Sequence, residues 1–304
     1  MTVKIVQVTD RYAPSLGGIE THVERLSSGR AGGGQEVEVL THKLSGTDVG
    51  VEQLDGVIVR RFARSIRMTD ANFSIRLAAV IRAIDDSDEF RVHGYHDTPA
   101  AIDAAFCRIS IVFTPHFHGT SDSRFRAVPH RPYRMFGRWI VRRSARVICV
   151  GPAERELLRG ALGDLGTPTV VIPNGVDAME IRSALPTILR PGGVHLLAAG
   201  RLEDYKHVDK TIMSLIHLDE AYQLHISGAG SQRATLERLV ADLGLAHPVN
   251  FHGRVGRSEY HGLLQSADLL VTASRHEAPG IAPLEALAAA IKSASRLAGC
   301  GSRQ

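Results

Sequence analysis

Two cations, Arg201 and Lys206, stand just past an apolar strand pattern in the segment AAGRLEDYKHVDK. Fixed cations at a strand end can neutralise a diphosphate and stabilise the charge it gains on leaving. Two solvated surface side chains would give the same pattern. GGIE is a second anion signal: Gly17 and Gly18 follow the first strand pattern and open a helix whose amides and dipole favour negative charge. It is not the GxGxxG fingerprint, and the pair reads equally as a turn. In RHEAPGIAPLEALAAA, Pro279 and Gly280 end a loop and strong helix formers follow, so Glu277 precedes the helix and Glu285 sits in its second turn. Ionised carboxylates accept hydrogen bonds from vicinal hydroxyls, the groups of a sugar or a ribose. A capping acid plus a surface glutamate is the plainer alternative. TPHFHG sets His116 and His118 two apart at the end of a strand pattern, facing one way, as a metal would need. No carboxylate or cysteine stands near them in sequence to complete a ligand set, so no metal is expected.

These residues need a scaffold that collects strand ends. Short apolar runs alternate with amphipathic stretches, the pattern of a parallel α/β sheet. Val3 to Val8, Glu36 to Thr41, Val57 to Phe62, Ile109 to Thr114 and Arg146 to Val150 read as strands. The stretch after Gly17-Gly18 puts Ile19, Val23 and Leu26 on one helix face, and SIRLAAVIRAI does the same with Ile75, Leu77, Val80, Ile81 and Ile84. After VIPNGVD the rhythm restarts, with strands at Val194 to Gly200, Tyr222 to Gly228, Val249 to Gly253 and Ala267 to Ser274. Two doubly wound domains are expected, residues 1–172 and 173–304, with ligands at the carboxyl edges in the cleft between them. RSALPTILRPGG is the clearest loop near that boundary.

The chain of 304 residues is long enough for two domains at roughly 150 residues each. Hydrophobic content of 44% and charge of 22% exclude disordered and fibrous classes. The start carries neither a signal-peptide core nor a membrane span, which points to the cytoplasm. Three scattered cysteines, Cys107, Cys149 and Cys300, suit reduced thiols better than disulfides or zinc. The net charge of +4 is concentrated between Arg124 and Arg146, which hold eight arginines and no acid. Arg134, Arg138 and Arg142 repeat at helical spacing near Trp139, while Tyr133, Phe136 and Ile140 fall on another face. Such a helix can lie on anionic lipid, at the inner face of the cell membrane, or be a solvated basic surface. No nucleic-acid partner is expected.

PSLGGIETHVERL, VIPNGVD, AAGRLEDYKHVDKTI, LHISGAGSQRATLERLVADLGL, VNFHGRV and ADLLVTASRHEAPGIAPLEALA, in this order, resemble the segments of the retaining GT-B glycosyltransferases of family 4. The match spans most of residues 1 to 290 and is weaker between Val49 and Ser110. The resemblance implies a hexosyl transfer from a nucleotide diphosphate sugar to a glycan or lipid-linked acceptor, with retention and without a metal or other cofactor. It implies that Gly17 and Gly18 lie against the donor phosphates, that Arg201 and Lys206 hold the pyrophosphate, and that His116 lies near the reacting sugar. Glu277 would bind the transferred sugar and Glu285 the ribose; backbone groups from Gly253 to Val255 would meet the base, and Gly280 and Ile281 would offer amides to phosphate. Two departures stand out. Pro279 replaces a frequent aromatic residue and removes one amide, and the segments expected after LEALA are represented only faintly by IKSASRLAGCGSRQ. A second domain incomplete at its C-terminus is therefore expected, with an inactive relative that binds nucleotide sugar or membrane as the alternative. A sugar-nucleotide epimerase would explain paired domains but not the order of these cations and glutamates.

Overall fold

The computed structural model describes residues 2–15, 17–43, 48–68, 71–85, 87–95, 107–117, 130–187, 192–274 and 280–295. The chain divides into two compact units, Met1–Asn174 and Gly175–Gln304.

The first unit runs β1 (Lys4–Val8), α1 (Gly18–Gly32), β2 (Glu36–His42), β3 (Gly50–Leu54), β4 (Val57–Phe62), the small hairpin β5 (Ile66–Met68) and β6 (Ala71–Phe73), α2 (Ile75–Ala83), β7 (Glu89–His93), β8 (Ile111–Thr114), α3 (His130–Arg143), β9 (Ser144–Cys149), α4 (Pro152–Leu162) and β10 (Thr169–Val171). Its main sheet has the order β10-β9-β8-β7-β1-β2-β4-β3, and every pairing is parallel except β3 with β4. Because alternate side chains point to opposite faces, β1 feeds two cores. Val6 and Val8 join Phe90, Val92 and Phe113 under α2, α3 and α4, while Ile5 joins Val37, Val39 and Val57 under Val23 of α1. The strand pattern missed β7, which pairs directly with β1. Its Glu89 and Arg91 break the apolar run, and they pair with each other at 2.8 Å. On α2 only Leu77 and Ile81 are fully buried, and Ile75, expected on the same face, is 63% exposed at the helix start.

The second unit contains α5 (Ala178–Ser183), β11 (Val194–Ala199), a short 3-10 turn (Asp204–Lys206), α6 (Val208–Ser214), β12 (Tyr222–Ser227), α7 (Arg233–Asp242), β13 (Val249–Gly253), α8 (Arg257–Ser266), β14 (Leu269–Thr272), α9 (Ile281–Ala288) and β15 (Lys292–Ser295). All strands are parallel in the order β13-β12-β11-β14-β15. The strand faintly echoed by IKSAS is thus present as β15. The chain changes unit at Asn174, ahead of the loop expected to mark the boundary. The segment from α5 to Thr187 is built into the second unit: Gln265 Nε2 donates to the Ile181 carbonyl, Arg182 Nε to that of Ala288, and Thr187 N to that of Gly262.

Leu196, Ala198, Leu224 and Ile226 fill one face of this sheet. The opposite face carries a diagonal ladder of imidazoles. His195 Nδ1 lies 3.0 Å from His225 Nε2, and His225 Nδ1 lies 3.0 Å from His252 Nε2. Burial, followed by the two neighbouring rings, lowers His225 to about 4, and burial also lowers His252. His225 and His252 are therefore neutral in the folded chain where an unfolded histidine, near 6.5, takes up a proton. Between those values the unfolded chain binds more protons, so the ladder's contribution is present above pH 6.5 and is lost as pH falls toward 4. Urea midpoints measured across that window should drop on acidification, and His225→Gln should make the drop shallower. An identical slope in the variant would show that the ladder is not the cause.

Candidate functional site

Each sheet reverses its strand order beside its first strand, between β1 and β7 in the first unit and between β11 and β14 in the second. Crossovers depart to opposite faces there, and the carboxyl edge is left open for a ligand.

In the second unit the edge is drawn together by backbone. Gly200 N donates to the Ser227 carbonyl at 3.0 Å, Leu202 N to Ala229 at 3.0 Å, and Gly228 N to Gly253 at 2.7 Å. Glycine is required at the closest points. A Cβ on Gly228, whose φ is +151°, would coincide with the Gly200 carbonyl, and one on Gly230 would strike the Leu202 carbonyl. Glu203 seals the outside, accepting from Ser231 N at 3.2 Å and from its hydroxyl at 2.7 Å.

This clamp presents Arg201 and Lys206. Between them stands Tyr205, whose hydroxyl is 2.9 Å from the Arg201 guanidinium and whose ring lies 5.9 Å below that group and 5.4 Å from the Lys206 ammonium. Cation–π attraction of about 0.5–1 kcal/mol at such exposed sites holds two like charges near one aromatic plate. Tyr205 went unrecognised in the sequence because a tyrosine between charged residues has no signature of its own. Gly200, Arg201, Lys206 and Thr211 share a hollow of about 20 Å³ with Thr272 and Ser274 from the end of β14. That is room for one water-sized group, a foothold for a phosphate oxygen rather than a nucleotide pocket.

The other expected residues lie around this edge without forming the hollow's wall. Gly253 ends β13 with φ +71°, beside Arg233, which packs 5.4 Å over the Phe251 ring. Val255 is buried in the core beneath α8. Gly280 is the cap of α9 with no side chain engaged, so the first amides of that helix lack a side-chain acceptor at the cap. Ile281 is buried, and Glu285 is 5% exposed, which strengthens any hydrogen bond its carboxylate accepts. Glu277, Pro279 and His118 lie outside the described residues.

In the first unit Gly17 caps α1 and Gly18 opens it; a Cβ on Gly18 would meet nothing, whereas the space at Gly17 is taken by the Glu20 carboxylate. His116 follows β8 in the left-handed region, φ +48°, an uncommon conformation for a side-chain-bearing residue. The strand has ended at Thr114, so the i, i+2 strand geometry expected for His116 and His118 does not apply. Glu154 and Tyr95 hold this corner. The Glu154 carboxylate, fully buried, accepts from Phe117 N at 2.6 Å and Val150 N at 2.5 Å; burial pushes its pKa up to about 7 while the two amides pull it down. Tyr95 N donates to the Pro115 carbonyl at 2.6 Å, and the Tyr95 ring meets Phe117 edge-on at 4.8 Å. Gly137 of α3 admits that ring, since a Cβ there would collide with it. Sequence proximity gave His116 no partners, but the fold supplies two: His22 from α1 and His93 from β7, with ring centroids 5.0 and 5.8 Å away. A separate cavity of about 570 Å³ is lined by Tyr12, Glu24, Asp48, Glu52, Asp55 and Arg61 among others.

The basic helix is α3, and two of its arginines also make contacts within the fold. Arg134 Nε donates to the Ala161 carbonyl at 2.6 Å and Arg138 Nε to that of Leu162, so both cap the end of α4, where cations are favoured. Trp139, 41% exposed, leans on Phe136 at 5.5 Å, and Arg142 is exposed. Cys107 and Cys149 are buried free thiols, as expected.

The glycine clamp gives a direct test. Gly228→Ala should cost about 2 kcal/mol or more, from strained backbone and the collision with Gly200. Gly18→Ala, where the added methyl meets open space, should leave stability nearly unchanged. Equal urea midpoints for the two variants would show that the close approach is not needed.

Residues 16–180 match the family model described as Glycosyltransferase Family 4, and residues 189–292 that of Glycosyl transferases group 1. The chain is similar to a glycogen synthase of Mycobacterium tuberculosis, 28% identical and covering 94% of this chain and 76% of that protein. It is 29% identical to a GDP-mannose-dependent alpha-(1-6)-phosphatidylinositol dimannoside mannosyltransferase of the same species, covering 94% and 77%. Among solved structures, sucrose-phosphate synthase from Thermosynechococcus elongatus superposes with a TM-score of 0.80 at 19% identity, covering 98% of this chain and 82% of that one. Anabaena HepE in complex with UDP-glucose gives 0.75 at 18%, covering 97% and 81%. With paired parallel α/β units of the GT-B kind and a Family 4 match over more than half its length, the chain belongs to glycosyltransferase family 4.

Proposed function

We propose that this glycosyltransferase moves a hexosyl group from a nucleotide diphosphate sugar to a glycan or lipid-linked acceptor, with retention at the anomeric carbon and without a metal cofactor. The observation that carries this is the pair Arg201 and Lys206, fixed on Tyr205 at the open carboxyl edge of β11. Two relatives support the donor class: one is named for GDP-mannose, and a structural neighbour holds UDP-glucose, both nucleoside diphosphate hexoses.

When the bond from the anomeric carbon to the diphosphate breaks, negative charge grows on the leaving oxygens and positive charge on the ring. Fixed cations at the diphosphate stabilise the first change without reorganising, the role a divalent ion would otherwise fill. His116 would face the transferred sugar, and attack by the acceptor hydroxyl on the departing group's face preserves configuration. Glu285, and Glu277 beyond the described residues, would accept from donor hydroxyls, and the Gly253 to Val255 backbone would read the base. The four carboxylates around the 570 Å³ cavity would suit a hydroxyl-rich acceptor better than an acidic one.

Arg201→Ala and Lys206→Ala should each lower kcat/KM for donor turnover by about 10²–10³ while leaving the fold intact. Donor hydrolysis, with and without candidate acceptors, across uridine, guanosine and adenosine diphosphate sugars makes the measurement. Failure of the purified chain to bind any of these donors would sink the proposal.

Among the described residues no helix is long and apolar enough to cross a membrane. A lipid-linked acceptor would then be met at a surface, and α3 offers one: Met135 and Trp139, 73% and 41% exposed, are four residues apart beside Arg138 and Arg142. Trp139→Ala combined with Arg142→Glu should weaken sedimentation with phosphatidylglycerol vesicles several-fold and leave binding to neutral vesicles unaffected. Unchanged binding would make α3 a solvated face.

A further inference from the structure

The first unit carries a convergence of histidines of which the transfer reaction uses only His116. His22 on α1, His93 at the end of β7 and His116 after β8 each offer one ring nitrogen, and all three nitrogens lie within 4.8 Å of one another. We propose that these three histidines form a binding site for a divalent transition-metal ion of the zinc type, with a fourth position open to water or to a ligand oxygen.

The hydrogen-bond chain behind His93 fixes which of its nitrogens is available. Ser27 Oγ donates to the Val23 carbonyl at 2.6 Å, so it must accept from Gln7 Nε2, also at 2.6 Å. That orients the Gln7 amide with Oε1 toward His93, and His93 Nε2 therefore carries the proton across the 3.0 Å contact. The lone pair is left on Nδ1, in a residue with no solvent exposure, and Nδ1 has no hydrogen-bond partner among the described residues. A buried bare acceptor is costly, and a metal ion would satisfy it. An imidazole whose other nitrogen donates to an oxygen is the usual second shell of a histidine ligand, here ready-made by Gln7.

The surroundings favour a soft divalent ion over a hard one. Three imidazole nitrogens suit zinc, cobalt, nickel or copper rather than magnesium or calcium. Zinc–nitrogen bonds of about 2.0–2.1 Å need ligand nitrogens about 3.3 Å apart, so closure asks for side-chain rotations of an ångström or so. The nearby cation is Arg91, and its charge is offset by Glu89 at 2.6 Å. Zinc would occupy His116, the residue assigned to the transferred sugar, so occupancy should inhibit transfer. That consequence rests on the proposed reaction; the binding does not.

Binding is measured first, by calorimetry on the full chain with zinc and with magnesium, and by the visible absorption of bound cobalt. One zinc per chain at micromolar or tighter affinity, a cobalt band of tetrahedral intensity and no magnesium binding are expected. His22→Ala and Gln7→Leu should weaken zinc by at least tenfold and about tenfold respectively, whereas His225→Gln in the other unit should not change it. His22 is only partly buried, and circular dichroism checks that each variant folds. Stoichiometric zinc binding unchanged by His22→Ala and Gln7→Leu, or no binding above that of a His22→Ala/His116→Ala double variant, would overturn the site. Zinc binding without inhibition of a chain that turns over donor would retain the site and remove His116 from the reaction.

Discussion

A parallel strand cannot be joined to its neighbour by a tight turn; the chain must cross over the sheet and return. Both units are built this way, and in both the second crossover goes to the opposite side of the first strand. β1 separates β2 from β7, and β11 separates β12 from β14. Every residue with chemistry to offer sits relative to those reversals. Arg201 and Lys206 follow β11, Thr272 ends β14 with Ser274 just past it, His93 ends β7, and α1 begins after β1. The strands supply no chemistry along their length, because their side chains are committed to two faces of core. Function is confined to the edge by the same burial that makes the sheets stable.

At that edge, backbone proximity does what side chains cannot. The loops after β11, β12 and β13 are joined by amide-to-carbonyl bonds of 2.7 to 3.0 Å, close enough that only glycine fits at residues 228 and 230. A rigid rim matters most for a charged group, since a long side chain gains little from a partner if it must first lose its own freedom. Tyr205 reduces that loss by giving Arg201 and Lys206 a common surface. The corner around His116 is held on the same principle: Glu154, Tyr95 and Gly137 fix its backbone from beneath.

Much of this was legible in the sequence, for identifiable reasons. Strands such as Val194–Ala199 and Leu269–Thr272 are mainly apolar runs bounded by glycine or charge, and helices such as Arg233–Asp242 carry a plain apolar stripe, so local pattern and tertiary burial agree. β7 was not legible, because Glu89 and Arg91 cancel each other only once the strand is formed. With β7 went His93, and with it the histidine cluster; His22 looked like any polar residue of an amphipathic helix. The cations at Arg201 and Lys206 could be read from their place after a strand, whereas Tyr205 could not, since its role is defined by what lies above its ring. The arginines of α3 were legible as a charge pattern, but nothing in that pattern showed that two of them close the end of α4.

The two histidine groups show how one residue type serves different ends under the same burial. Along β11, β12 and β13 the rings are displaced by two residues from strand to strand, and each nitrogen contact is directed to the next ring. That chain uses its hydrogen-bonding capacity internally, and its two ends are too far apart to share an ion. Around His116 the rings come from a helix, a strand end and a loop, so no lattice spacing keeps them apart, and their nitrogens converge. Desolvation disfavours the imidazolium in both places. In the ladder it leaves His225 and His252 neutral and hydrogen-bonded to a neighbouring ring, and a proton is the species that breaks those contacts. In the cluster it leaves a buried lone pair on His93 that its neighbours do not satisfy, so the same desolvation prepares a site for a cation other than the proton.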